Sequence, residues 1–229
     1  SWSSVRTWEG NWATHNSVWS VLPGVYPLEL PFDTPWHFLK QIAGRGRLVR
    51  TMEAPGVQVV EVEAERWCFN AETLRWHRPG VCFRRLLALV QTDGDGVAVV
   101  DLSRVRGPGQ HWRICRGMEG ALELAQVRTV SLPGTLAGEG VKRGDLEAVE
   151  HPDHAGLAYM DNVHDIAADV SFRGSWRSRY DAEAQLDLHV LGVSAGTRIR
   201  TARATAVMGK PEESKYEYHA LAFDRPAGT

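Results

Sequence analysis

The stretch "CFRRLLALVQTDGDGVAVVDLSRV", residues Cys82 to Val105, decides the fold. Two runs rich in valine and leucine flank "TDGDG", Thr92 to Gly96, whose Asp and Gly residues favour a tight turn. Apolar runs of this length, bounded by a turn signal, are typical of β-strands. The stretch therefore predicts an antiparallel β-hairpin.

The same period of two residues recurs along the chain. It is clearest in "VQVVEVEAERWCF" (Val57 to Phe69), "AQLDLHVLGV" (Ala184 to Val193) and "TRIRTARATAV" (Thr197 to Val207). Such alternation indicates half-buried antiparallel strands. We therefore predict an all-β fold, a large antiparallel β-sandwich (supersandwich) of two or more stacked sheets, as a single domain over residues 1–229.

The remaining local signals predict little helix. The segment "GDLEAVEHPDHAG" has room for one helical turn, which Pro152 is expected to end. Residues 131–156 are rich in Gly, Pro and acidic residues, which predicts a long loop.

Composition excludes several classes of protein. The net charge is -2, with 43% hydrophobic and 24% charged residues, so no overall field attracts nucleic acid. There is no run of 18 or more apolar residues, so we expect no membrane partner, and no signal peptide is visible. The balanced charge and the lack of a groove-reading motif predict no nucleic-acid partner. Of the 26 basic residues 22 are arginines, which suits oxyanion binding but is also typical of a GC-rich genome.

Short polar motifs offer several alternatives. "HPDH", His151 to His154, has the spacing of a zinc site or forms a solvated surface loop. "DNVHD", Asp161 to Asp165, either binds sugar hydroxyls or caps a turn. "GRGR", Gly44 to Arg47, either cradles an anion or is an ordinary basic turn. The three cysteines are too few for a disulfide framework, although one bridge, Cys68 to Cys82, stays open.

A longer segment, Gly80 to Gly120, resembles the β-sandwich region of heparinase II/III-like polysaccharide lyases. In that family a strand with two arginines, here Arg84 and Arg85, leads into a hairpin whose second strand contains "VVDL". A glycine-rich turn, a histidine and a glycine follow, which match "GPG" at residues 107–109, His111 and Gly117. The family often has a second histidine before that glycine, where this chain has Arg116.

A second segment, Asp161 to Tyr180, is similar to the family's stretch that ends in a Trp-containing strand, with Trp176 here. The opening "HNSV", His15 to Val18, looks like the family's "HN" segment, whose histidine is a zinc ligand. The resemblance therefore implies that His15 binds zinc or another divalent metal. It also implies substrate binding by five residues: Asn16, His111, Arg113, Arg116 and Trp176.

The resemblance implies a function for the whole. These lyases cleave uronic-acid polysaccharide, glycosaminoglycan or alginate-like, by β-elimination, in which a base removes the proton next to the carboxylate. We expect this chain to be the sandwich portion of a larger, secreted or periplasmic bacterial lyase. Its partner would be an upstream helical toroid domain or a companion chain, and the isolated chain would be largely inactive. The sequence identifies no catalytic base.

Two alternatives to this reading remain open. One is a non-catalytic carbohydrate-binding or structural sandwich. The other is a sugar epimerase or another sandwich enzyme, which would need His, Glu or Tyr side chains to converge in one pocket.

Overall fold

The computed structural model describes residues 16–22, 45–66, 68–70, 75–94, 96–125, 127–167, 171–205 and 217–227. Strands account for 61% of these residues, and the prediction of an all-β fold is confirmed. The strands are β1 Val18–Val21, β2 Arg45–Ala54, β3 Val57–Glu65, β4 Cys68–Asn70, β5 Arg75–His77, β6 Cys82–Gln91, β7 Val97–Arg106, β8 Gln110–Arg116, β9 Gly120–Ala125, β10 Arg128–Ser131, β11 Asp161–Ala167, β12 Phe172–Ser178, β13 Gln185–Val190, β14 Arg198–Thr205 and β15 Glu217–Arg225.

The strands form four antiparallel sheets in two compact units. Residues 1–21 and 110–229 make the first unit, with a six-stranded sheet in the order β1-β8-β15-β14-β11-β10 and a three-stranded sheet in the order β13-β12-β9. Residues 22–109 make the second unit, with a four-stranded sheet in the order β2-β3-β6-β7 and the short pair β4-β5. The single domain over residues 1–229 stays a prediction.

The first unit is a β-sandwich whose central layer is the six-stranded sheet. One face of that sheet packs against the three-stranded sheet through Ile166, Ile199 and Leu221, which meet Phe172 and Trp176. The other face is covered by residues 132–160, through Leu136, Leu157 and Met160 among others. We call this second face the loop-covered face; it carries the polar groups described below.

The loop over that face contains a 3-10 helix, Pro152–Tyr159. The expectation that Pro152 ends a helical turn is wrong, because the helix begins there. A proline lacks only a backbone N–H that the first helical turn leaves unbonded. His151 precedes the helix and caps it, since its Nδ1 accepts a hydrogen bond from the backbone N–H of Asp153 at 3.1 Å. In the described part of the chain, no helix is long and apolar enough to cross a membrane.

The predicted hairpin forms one side of the four-stranded sheet of the second unit, with β7 as its edge strand. β6 and β7 pair antiparallel from Cys82↔Arg106 to Gln91↔Val97, as the turn at residues 92–96 predicts. Because directly opposed residues share a face, the register separates the two faces of the four-stranded sheet. One face carries Val60, Leu87 and Leu89, all partly exposed, together with the ion pair of Arg85 and Asp101. The other face carries alternating Glu and Arg. Cys82, a candidate for the open disulfide, has a free thiol.

Candidate functional site

Small side chains line the middle of the loop-covered face. Alternation along β14 and β15 places Ala202, Ala204, Ala220 and Ala222 on this face, all of them buried. Alanines leave room for the loop to lie close to the sheet, so Leu157 and Met160 are fully buried against it. Two polar clusters lie on the same face, one beyond each end of the alanine patch.

The first cluster is built around a buried carboxylate. Asp224 of β15 is 0% exposed, yet its oxygens accept hydrogen bonds from three side chains. Arg198 donates to Oδ2 from Nε at 3.0 Å and from Nη2 at 2.5 Å, and Gln110 donates to Oδ2 at 3.1 Å. Arg200 donates to Oδ1. A buried carboxylate is tolerated only when it is paired and hydrogen-bonded in this way.

The 3-10 helix adds a histidine to this cluster. The His154 ring lies edge-on to Trp112, with 5.6 Å between ring centroids, and the Arg200 guanidinium lies 5.2 Å from the Trp112 ring centroid. The pKa of His154 is lowered to about 4, chiefly by burial and also by the neighbouring His151, while Asp153 and Asp224 oppose the shift. His154 is therefore neutral at pH 7. Its Nε2 is buried and has no hydrogen-bond partner within the described ranges.

This geometry corrects the reading of "HPDH" as a solvated surface loop. Asp153 is buried, at 7% exposure, and His154 packs against Trp112. The zinc alternative gains no support either, because no group of three His, Cys, Asp or Glu side chains that could hold a metal ion occurs among the described residues. Instead, His151 caps the 3-10 helix, and His154 packs the loop against Trp112 of the sheet.

The second cluster combines two predicted substrate-binding residues with a tyrosine. The Asn16 Oδ1 accepts a hydrogen bond from the backbone N–H of Arg116 at 2.6 Å. The Arg116 guanidinium lies 4.9 Å from the ring centroid of Tyr218, a cation-π contact. Tyr218 is 2% exposed, and burial raises the pKa of its hydroxyl, with Arg116 opposing part of the shift. No carboxylate pairs with the Arg116 guanidinium in the described part of the chain.

The other predicted substrate-binding residues of β8 lie on the opposite face of the sheet. His111 and Arg113 alternate with Trp112, so they point away from the loop-covered face. The His111 Nδ1 lies 2.5 Å from the hydroxyl of the buried Ser20, which is its partner on β1. The Arg113 Nε donates to the sulfur of Cys115 at 3.2 Å. The structure therefore does not bring these two side chains together with Arg116.

Trp176 has a structural position. It is 2% exposed in the core between the two sheets, and its Nε1 donates a hydrogen bond to the carbonyl of His219 at 2.9 Å. A sugar ring cannot stack on an indole that is buried on both faces. The substrate-binding role that the sequence suggested for Trp176 does not fit this conformation.

His15, the predicted metal ligand, lies outside the described residues. The described part of the chain contains no group of three His, Cys, Asp or Glu side chains that could hold a metal ion. These residues therefore do not form a metal site by themselves, and no chemical step is assigned to a metal. The zinc role of His15 stays a prediction.

"DNVHD" forms strand β11 rather than a turn. Its first residue, Asp161, receives a bidentate pair of hydrogen bonds from Arg203 at 2.9 and 3.0 Å. The next residue, Asn162, has a φ of 50°, a left-handed conformation that a non-glycine residue seldom adopts, at an irregularity in the pairing with β14. The carboxylate is thus already occupied by an arginine, which does not favour sugar binding by Asp161.

Comparison with known proteins gives no further identification. No protein-family model matches the sequence, and no curated protein matches it significantly. The function therefore has to be argued from the residues themselves.

Proposed function

We propose that this chain forms the β-sandwich portion of a polysaccharide lyase that cleaves uronic-acid-containing polysaccharide by β-elimination. Two things support the proposal: the resemblance of Gly80 to Gly120 and of Asp161 to Tyr180 to heparinase II/III-like lyases, and the all-β sandwich itself. The observation that carries it is the position of Arg116, whose backbone N–H donates to Asn16 and whose guanidinium lies over the ring of Tyr218.

Arg116 suits the recognition of a uronate carboxylate. A guanidinium presents a planar fork of donors that binds a carboxylate through two parallel hydrogen bonds. In β-elimination the carboxylate must be neutralised while the adjacent proton is removed, and a positioned cation supplies that stabilisation. Because no acidic side chain among the described residues pairs with Arg116, its guanidinium does not have to give up an internal ion pair.

Tyr218 acts as a positioning residue in this proposal. Its ring supports the Arg116 guanidinium, and its hydroxyl, whose pKa is raised by burial, stays protonated at neutral pH. A phenol that is 2% exposed does not reach a substrate, so it is not assigned the role of base. We propose that the base and most of the cleft come from a helical toroid domain or a companion chain, and that a divalent metal at His15 belongs to that larger assembly.

The second candidate is a non-catalytic sandwich that binds acidic carbohydrate. One observation favours it: the strongly perturbed histidine, His154, belongs to the covering loop and packs against Trp112 rather than lying exposed beside Arg116. Both candidates require Arg116 to bind a carboxylate, and they differ in whether a bond is broken.

The test uses the full chain with uronate-containing polysaccharides and a neutral polysaccharide as the ligand control. Affinity electrophoresis measures binding, and ultraviolet absorbance detects the unsaturated uronate that β-elimination produces. We expect Arg116→Gln to weaken binding of the acidic polymer at least tenfold, because charge-assisted hydrogen bonds contribute roughly 1.5–3 kcal/mol each. Arg177→Gln is the matched control, since Arg177 is an exposed arginine of the same unit.

The outcomes separate the two candidates. Unsaturated product, from the chain alone or together with its companion domain, supports the lyase. Saturable binding that depends on Arg116 and yields no product supports the non-catalytic module. Equal binding by wild type, Arg116→Gln and Arg177→Gln contradicts both, provided that circular dichroism shows all three to be folded. Retention of zinc by a His15→Ala variant of the complete enzyme would refute the metal-ligand role.

A further inference from the structure

The charged face of the four-stranded sheet has more cations than anions. Among the residues whose side chains the structure describes, the strand register places three glutamates of β3 and five arginines of the neighbouring strands on it. The glutamates are Glu61, Glu63 and Glu65, and the arginines are Arg47, Arg50, Arg84, Arg104 and Arg106. We call this surface the charged face, and its charges are unevenly distributed.

The glutamates are already paired. Glu61 receives Arg50 at 2.7 Å and Arg84 at 2.6 Å, one on each carboxylate oxygen. These two arginines lower the pKa of Glu61 against the effect of its burial, with the hydrogen bond from Arg84 as the largest cause. Glu63 pairs with Arg47 at 2.7 Å, and Glu65 pairs with Arg78 at 3.4 Å. Each carboxylate on this face therefore has a partner.

The surplus cations lie together on β7. Arg104 and Arg106 make no ion pair within the described ranges. They are two residues apart on one strand, so their side chains leave the same face about 7 Å from each other. Arg104 stands directly opposite Arg84, and Arg106 stands opposite Cys82. Like charges directly opposed across a ladder destabilise a sheet, and Glu61 offsets the charge of Arg84 but not that of Arg104.

A small depression lies between these arginines. It is lined by Glu63, Cys82 and the three guanidinium-bearing side chains of Arg84, Arg104 and Arg106, and its volume is about 50 Å³. That volume exceeds the roughly 10–15 Å³ that a cavity needs to hold one water molecule, so there is room for a small ligand group. Arg84 is half exposed, which keeps the depression open to solvent.

We propose that Arg84, Arg104 and Arg106 form a binding site for a tetrahedral oxyanion, sulfate or phosphate, either free or carried on a larger molecule. Two guanidinium groups without a carboxylate match the charge of a dianion, and Arg84 adds donors although Glu61 balances its charge. Arginine forks bind such oxygens through paired, charge-assisted hydrogen bonds. A bound dianion also removes the repulsion between Arg84 and Arg104. The site belongs to the second unit and is independent of the lyase proposal.

The test measures thermal unfolding of the full chain at low ionic strength while inorganic sulfate or phosphate is added. Sodium chloride at matched ionic strength is the reference, because sulfate at high concentration stabilises proteins without binding to a site. Wild type is compared with the double variant Arg104→Gln/Arg106→Gln. The control is Arg128→Gln/Arg177→Gln, which also removes two positive charges, but from exposed positions elsewhere in the chain.

We expect saturable stabilisation of wild type and of the control, with at least a tenfold weaker apparent affinity in the Arg104→Gln/Arg106→Gln variant. Without added oxyanion that variant should be at least as stable as wild type, because the repulsion is gone. Dextran sulfate against neutral dextran distinguishes the sources: binding of the sulfated polymer but of neither inorganic ion assigns a polymer-borne group. Equal stabilisation of all three proteins, or binding of none of the probes by wild type, overturns the proposal.

Discussion

Acidification from pH 7 to pH 4 should destabilise this protein through one buried side chain, His154. The ordinary pKa of a histidine is 6.5, and in the folded protein the pKa of His154 is about 4. Between these values the unfolded chain binds a proton at this residue and the folded chain does not. The free energy of unfolding therefore rises with pH across this window. The contribution of the neutral His154 to it is fully present above pH 6.5.

The magnitude follows from the width of that window. It spans about 2.5 pH units, and each unit corresponds to about 1.4 kcal/mol, so the loss at pH 4 is about 3 kcal/mol. The physical cause is the packing of the ring against Trp112 near the Arg200 guanidinium, where a second positive charge is poorly solvated. A loss of this size is a large share of the stability of an ordinary domain.

The assay is urea unfolding of wild type and of His154→Gln at several pH values between 7.5 and 4. Other groups, such as Asp187 with a pKa of about 2, titrate in both proteins and cancel in the difference. Wild type should lose about 3 kcal/mol relative to the variant as the pH falls from 6.5 to 4. A flat difference over this range, or a His154 NMR titration midpoint near 6.5, would refute the reasoning.

Three substitutions test the packing, and a fourth, Val99→Thr, is the control. All four are compared with wild type by urea unfolding at pH 7. Asp224→Asn removes the charge that balances Arg200, which is largely buried, and Arg198, which is half exposed, and we expect a loss of about 3 kcal/mol. Gly117→Ala places a methyl group against the indole of Trp176 and should cost roughly 1–3 kcal/mol, detected also as altered Trp fluorescence. Ala220→Leu overfills the loop-covered face at a similar cost of roughly 1–3 kcal/mol, whereas Val99→Thr, on an exposed position, should change stability by less than about 0.5 kcal/mol. Equal losses for Ala220→Leu and Val99→Thr would contradict the assigned burial.

The strands and the hairpin of β6 and β7 could be predicted from the sequence because their signals are local. Alternation in "TRIRTARATAV" corresponds to β14, and "TDGDG" does connect β6 to β7. Alternation along β12 also favours burial of Trp176, which the prediction of substrate binding did not take into account. Phe172, Gly174 and Trp176 share one face of β12, and two of them are large apolar residues, which favours the core.

The clusters on the loop-covered face could not be predicted, because burial of a polar residue depends on what another part of the chain covers. "HPDH" is as polar as any surface loop, and only its packing on Trp112 buries it. Tyr218 and Asp224 share the parity of Ala220 along "EYHALAFDR", and that parity is the one signal in the sequence that places them on a common face. The alternation does not indicate which face of the sheet the loop covers.

The same parity decides which of the predicted substrate-binding residues meet. Arg113 and Arg116 are three residues apart in β8, an odd separation, so a strand must place them on opposite faces. A prediction that required both to bind one substrate was therefore incompatible with the strand that the sequence itself indicates. Asn16 and Arg116 meet because β1 pairs with β8, although residues 22–109 separate the two strands in the sequence.

The strand order of the six-stranded sheet has a consequence for biosynthesis. Val21 of β1 pairs with Gln110, 89 residues later, and β15, the last of the described strands, lies between β8 and β14. During translation β2 to β7, which lie between β1 and β8 in the sequence, are synthesised long before β15 can complete the six-stranded sheet. Contacts of such separation form slowly, and unpaired strand edges meanwhile favour aggregation. A nascent chain stalled before Glu217 would have an incomplete six-stranded sheet with open strand edges, the species that chaperones are expected to bind.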